Sequence, residues 1–82
     1  MASTEELIRA VDLALAGDWE AAHEIAQSHE GDAAADWLHA VLHKIEGNDG
    51  NALYWYRCSG HDIGNFSDAT AELKALRAHI SR

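Results

Sequence analysis

Six histidines in 82 residues give this chain its clearest potential for chemistry. Asp36, His39, His43 and Glu46 follow one another at spacings of three and four residues. On a helix this spacing places the four side chains on one stripe, where imidazoles one turn apart can reach the same metal ion. The carboxylates could complete the coordination sphere or orient the rings, and His23 could add a ligand if its helix packs nearby. The stripe fits a site for zinc or another divalent transition metal, or else a solvated helix face.

The histidine stripe lacks the residue that hydrolytic zinc sites use as a base. In the zinc-protease helix signature a glutamate directly follows the first histidine, whereas Ala40 occupies that position here. We therefore expect a metal at this stripe to be structural or adventitious. A further interpretation is a pH sensor, because imidazoles beside carboxylates gain charge between about pH 5 and 7.

A nucleophile is the other chemistry to consider, and Cys58 with nearby His61 and Asp62 is the candidate. The predicted position of Cys58 is the C-terminal end of a helix, where the helix dipole disfavours a reactive thiolate. The chain contains no complete catalytic signature, so we expect no enzyme. As the only cysteine, Cys58 cannot form an internal disulfide, which indicates a reducing cytoplasm.

The charge of the chain limits its partners. The net charge is −8, and residues 1–50 carry eleven acids against Arg9 and Lys44. A nucleic-acid-binding protein needs a basic stripe to neutralise phosphates, and the sequence contains none. Anionic membrane surfaces are disfavoured for the same reason, and no stretch approaches the roughly 20 apolar residues that span a bilayer. A basic protein or peptide is the partner that this charge favours.

Aromatic side chains offer a second candidate site. Tyr54 and Tyr56 point about 160° apart on a helix and cannot share one environment. Aromatic residues and arginine are enriched at interaction hot spots. A partner-binding surface would comprise Trp37, Tyr54, Trp55 and Arg57. The alternative is that Tyr54 and Trp55 pack against neighbouring helices in the core.

Periodicity and capping residues predict an all-α fold of about five helices. Ser3, Asp18, Asp32 and Ser67 precede helices as N-caps, and glycines close the first three. In the third helix, one apolar stripe including Trp37, Val41 and Ile45 is expected to face inward, with His39 and His43 opposite. The predicted helices cover residues 4–16, 18–29, 33–46, 51–58 and 67–81.

A glycine, a polar turn residue and a downstream alanine occur twice, thirty residues apart, starting at Gly17 and at Gly47. Such self-similarity is typical of stacked helical repeats. The segment of residues 32–60 resembles the tetratricopeptide repeat and its Sel-type variant, since Ala52, Tyr56 and Ser59 reproduce the small–aromatic–small order of the second helix. The length of the chain predicts a single domain over residues 1–82, and periodicity with caps predicts hairpins at about 4–30 and 32–60 and a capping helix at about 67–81.

The same resemblance implies a function, because repeats of this type generally bind proteins or peptides. We therefore expect a small cytoplasmic protein–protein interaction module. Two hairpins are fewer than the roughly three repeats that such folds usually need, so homodimerisation is expected to extend the stack. The competing expectation is a metal-binding protein that uses the histidine stripe.

Overall fold

The computed structural model describes residues 3–81. Within that range the chain forms helices and no strand, which confirms the all-α class and the five α-helices. None of these helices is long and apolar enough to cross a membrane. The helices are α1 (Thr4–Leu15), α2 (Trp19–Ser28), α3 (Ala33–Ile45), α4 (Asp49–Ser59) and α5 (Ala69–Ile80), with a short 3-10 helix at Ile63–Asn65 before α5.

Side-chain caps begin the first three helices, as the sequence predicts. The oxygen of Ser3 accepts from the Glu6 N–H at 3.1 Å, and a carboxylate caps each of the next two helices, Asp18 for α2 and Asp32 for α3. Each cap satisfies N–H groups that have no partner inside the helix.

Two predicted helix starts are wrong. Helix α4 begins two residues before the predicted Asn51, because Asn48 caps it. Helix α5 is capped by Asp68 and not by Ser67, since the Asp68 carboxylate accepts from two backbone N–H groups at 3.3 and 3.2 Å. A carboxylate can satisfy both donors at once and also complements the positive end of the helix dipole.

The two glycine segments form the same turn. Gly17 and Gly47 have φ values of 89° and 84°, in the left-handed region where a side chain would be strained. The next residue, Asp18 or Asn48, donates its N–H at 2.9 Å to a carbonyl five positions earlier. This is the Schellman arrangement, and the same residue then caps the following helix. The motif that starts at Gly17 and recurs at Gly47 therefore encodes two equivalent turns between helices.

Helix α3 is central, because it contacts all four other helices. Helix α5 packs against α1 as well as α3, so the first and last helices meet. In an extended solenoid each repeat contacts only its neighbours. The contact between α1 and α5 instead closes a bundle of 27 × 24 × 24 Å.

The central position of α3 overturns the predicted orientation of its histidines. Every residue from Ala35 to His43 is buried, and the exposed fractions of His39 and His43 are only 3% and 8%. Ile45, predicted to face inward, is 46% exposed because it ends the helix beyond its neighbours. Periodicity predicts one buried face, but a helix surrounded by others buries them all.

Candidate metal centre

Three imidazole rings meet where α2 crosses α3. His23 comes from α2, and His39 and His43 lie one turn apart on α3. One ring nitrogen from each lies within 4.8 Å of those from the other two. The Nε2 atoms of His23 and His39 are 3.0 Å apart. We call His23, His39 and His43 the histidine cluster.

Trp19 positions the α2 histidine. Its indole N–H donates to the Leu42 carbonyl at 2.7 Å, which fixes the start of α2 against the last turns of α3. Its ring stacks on His23, one turn later, with centroids 4.6 Å apart and planes 10° apart. Sequence reasoning gives Trp19 no functional role, although its spacing of four from His23 is the signal that could have suggested one.

Trp55 covers the cluster from α4. Its ring stacks on His39 with centroids 4.1 Å apart, and Tyr54 meets Trp55 edge-on at 4.9 Å. Trp19 and Trp55 therefore hold the imidazoles from two sides, each on a different helix. Packing of this kind limits ring rotation and fixes the directions of the ring nitrogens.

Glu46 orients the third ring. Its Oε1 atom accepts from Nδ1 of His43, the residue three positions earlier. A proton held on Nδ1 leaves the Nε2 lone pair of His43 free to bind a metal. The carboxylate thus lies on the far side of the ring, where it orients the imidazole.

Burial favours the neutral form of two of the three rings, His23 and His39. Desolvation lowers the pKa of His39 to about 4, with the charges of His23 and His43 acting in the same direction. Desolvation is the main cause that lowers the pKa of His23, and the charge of His43 is the second. The negative charges of Glu46 and Glu30 act in the opposite direction and raise this pKa. Neutral imidazole is the form that coordinates metals.

One fully buried ring nitrogen of the cluster has no hydrogen-bond partner within residues 3–81. Nδ1 of His39 is fully buried and unpaired. The Nε2 atom of the same ring is the one that meets His23, so an ion held among the three rings would not contact this Nδ1 atom.

The remaining predicted metal ligand, Asp36, lies elsewhere. Its carboxylate is 3% exposed and accepts from the Gly31 N–H at 3.2 Å, which ties α3 to the turn before it. Burial raises the pKa of this carboxyl. Of the five predicted metal residues, the structure brings together the three histidines and places Glu46 against one of them.

The predicted binding surface is divided between core and surface. Trp37 is only 5% exposed, its indole N–H donates to Glu72 at 2.9 Å, and its face stacks on His61. It therefore cannot form part of a partner-binding surface. Trp55 is half-buried on the cluster, whereas Tyr54 is 58% exposed and Arg57 is exposed.

A buried ionic network, which the sequence did not indicate, lies next to the site on α3. Glu72 is 1% exposed and pairs with the ammonium of Lys44 at 2.9 Å. Tyr56 donates its hydroxyl to the same carboxylate, so that α3, α4 and α5 are joined. Lys44 also donates to the Phe66 carbonyl at 2.7 Å and thereby fastens the long connection before α5. The network fixes the helix that carries two of the three histidines.

No protein-family model, no curated protein and no solved structure matches this chain. The residues that the structure describes form a small all-α bundle with a cluster of two buried histidines and one half-buried histidine.

Proposed function

We propose that this protein binds a divalent transition metal ion, zinc being the first candidate, through His23, His39 and His43. The observation that carries the proposal is the convergence of three ring nitrogens within 4.8 Å. Zinc–nitrogen bonds of about 2.0–2.1 Å hold ligand atoms slightly over 3 Å apart, so small ring movements suffice to close the site.

The chemistry of the donors supports a transition metal over magnesium or calcium. Three imidazole nitrogens suit zinc, copper, nickel or cobalt, whereas the alkaline-earth ions prefer oxygen ligands. The lowered pKa values of His23 and His39 keep these rings available at neutral pH. The hydrogen bond from His43 to Glu46 adds the orienting carboxylate that metal-bound histidines commonly have.

Metal analysis of protein purified without a histidine tag, combined with titration calorimetry, tests the proposal. We expect one zinc ion per chain and loss of binding in the His39→Ala/His43→Ala double variant. His23→Gln provides a milder change at the partly exposed end of the cluster, should the double variant fold poorly. His79→Gln, on an exposed histidine of α5, is the control that should bind normally. Equal affinity in all variants would refute the proposal.

Protein–protein interaction is the second candidate, favoured by three exposed large apolar side chains. Ile45, Leu53 and Tyr54 are 46%, 46% and 58% exposed, near exposed Arg57 on α4. Aromatic side chains with a nearby arginine are frequent at hot spots. A basic protein or peptide, or a second copy, in the cytoplasm is the proposed partner, in keeping with the tetratricopeptide resemblance.

Tyr54→Ala distinguishes a role of Tyr54 in partner binding from a purely structural role of this side chain. With more than half of Tyr54 exposed, we expect unchanged thermal stability together with weaker partner binding or weaker self-association. Light scattering after size exclusion measures the second. A strict monomer at high concentration would contradict homodimerisation, and a large loss of stability would place Tyr54 among the packing residues.

A further inference from the structure

Among the residues that the structure describes, the histidine cluster supplies three ligands and no fourth. Within residues 3–81, the group of side chains whose ligand atoms lie close enough together ends at the three histidines. The nearby carboxylates are engaged elsewhere, Glu46 with Nδ1 of His43 and Asp36 with the Gly31 N–H. Structural zinc sites are almost always closed by four protein ligands, whereas catalytic sites use three and keep a water in the fourth position. The donor count therefore matches the catalytic arrangement.

The cluster is buried where it lies on α3 and partly exposed where His23 lies on α2. His39 and His43 are buried, but His23 is only half-buried, as are Trp19 and Trp55. A fourth ligand from solvent would therefore approach beside His23, between the two tryptophans.

We propose that the zinc-loaded cluster keeps an open coordination position and hydrolyses uncharged esters there. The inference rests on the metal binding proposed above. Zinc lowers the pKa of a bound water to about 7, so the proton leaves to the buffer and hydroxide remains on the metal. The missing glutamate base, replaced by Ala40, is then no obstacle, because the metal itself produces the nucleophile.

The reaction balances without a further reagent. The hydroxide oxygen forms a bond to the ester carbonyl carbon, and the carbonyl π electrons move to its oxygen, next to the metal. Collapse of this tetrahedral species breaks the carbon–oxygen bond to the leaving alcohol, which takes the electron pair and a proton from water. The carboxylic acid formed leaves as its anion with a proton released to the buffer, and a second water binds the metal.

The surroundings define the class of substrate. The carboxylates of Glu46 and Glu30 act electrostatically on His23, and the chain carries a net charge of −8. Anionic substrates such as phosphate monoesters are therefore repelled. The rings of Trp19 and Trp55 stack on His23 and His39, and the part of each ring that stays exposed gives the site an apolar border, which suits an uncharged ester.

Hydrolysis of p-nitrophenyl acetate by zinc-loaded, untagged protein tests the activity. We expect a zinc-dependent rate that rises through an apparent pKa of about 7, as a metal-bound water requires. Chelation of the zinc, or the substitution His23→Gln or His43→Gln, should abolish the rate, while His79→Gln should leave it unchanged. Circular dichroism confirms that each variant is folded, and p-nitrophenyl phosphate should not be hydrolysed.

A second measurement examines the open position without catalysis. In the cobalt-substituted protein, the visible absorption of the metal should change on addition of azide and on titration through neutral pH. Metal bound one to one with a spectrum that ignores azide and pH would overturn the open position while metal binding stands. An azide-sensitive spectrum with no hydrolysis above that of free zinc would overturn the esterase activity. Failure to bind either metal would overturn both proposals.

Discussion

Acidification of the metal-free protein tests how tightly the histidine cluster is packed. The pKa of His39 is lowered from its ordinary 6.5 to about 4 in the folded chain, mainly by burial. The unfolded chain therefore takes up the proton first as the pH falls. The stability that the neutral ring provides is complete above pH 6.5 and is lost progressively between about pH 6.5 and 4.

The magnitude follows from proton linkage. A pKa difference of this size costs about 2 kcal/mol of folding free energy between pH 7 and pH 5. For a domain of this length, that corresponds to a fall of roughly 10 °C in Tm. The lowered pKa of His23 acts in the same direction. The raised pKa of Asp36 acts in the opposite direction at lower pH, so the measurement stops at pH 5.

Urea unfolding followed by circular dichroism, in the presence of a chelator, measures this loss. We expect the free energy of unfolding of the wild type to fall by about 2 kcal/mol from pH 7 to pH 5. His39→Gln should flatten the dependence by removing the titrating group, although the variant starts from lower stability. His79→Gln changes an exposed histidine and should parallel the wild type. Identical slopes for the wild type and His39→Gln would refute the assigned burial of His39.

Three further predictions concern the residues that support the cluster. Glu46→Gln should weaken zinc binding by about 10- to 100-fold in a chelator competition assay, because it removes the charged partner of His43; unchanged affinity would remove Glu46 from the site. Trp19→Phe should lower the free energy of unfolding in urea by about 1 kcal/mol, since the hydrogen bond from the indole N–H to the Leu42 carbonyl is lost. The same substitution should weaken metal binding. Normal stability together with normal metal affinity would contradict the positioning role of Trp19. Lys44→Met should destabilise by about 3–5 kcal/mol because it leaves the buried Glu72 carboxylate without an opposite charge. Lys74→Met, on an exposed residue of α5, is the control, and equal thermal stability of the two variants would contradict the buried pair.

The parts of the fold that the sequence predicts are those determined by neighbouring residues. Ser3, Asp18 and Asp32 cap helices through bonds to N–H groups two or three positions away. Gly17 and Gly47 end helices because the chain needs a positive φ there. The choice of Asp68 over Ser67 was not predictable in this way, since both residue types cap helices well.

The sequence predicted His39 and His43 as a pair, and His23 as a further ligand only if its helix packs nearby. His39 and His43 share a helix face by spacing alone. The approach of His23 depends on how α2 crosses α3, and that crossing is fixed by the bond from Trp19 to the Leu42 carbonyl, 23 residues away. The burial of Trp37 depends in the same way on Glu72, which lies 35 residues further along the chain. Local patterns contain no information about such distant partners.

Because α3 contacts every other helix, a metal ion bound to its histidines would stabilise the whole fold. The fraction of the protein that is folded would then depend on the concentration of available metal. A single hydrophobic core in a domain of this length supplies only about 3–5 kcal/mol of net folding stability. A ligand present at a hundred times its dissociation constant adds about 2.7 kcal/mol to a fold that alone can bind it. In a metal-starved cell more of the chain would then be unfolded and open to proteases, so its abundance would follow the free metal concentration without any change in synthesis.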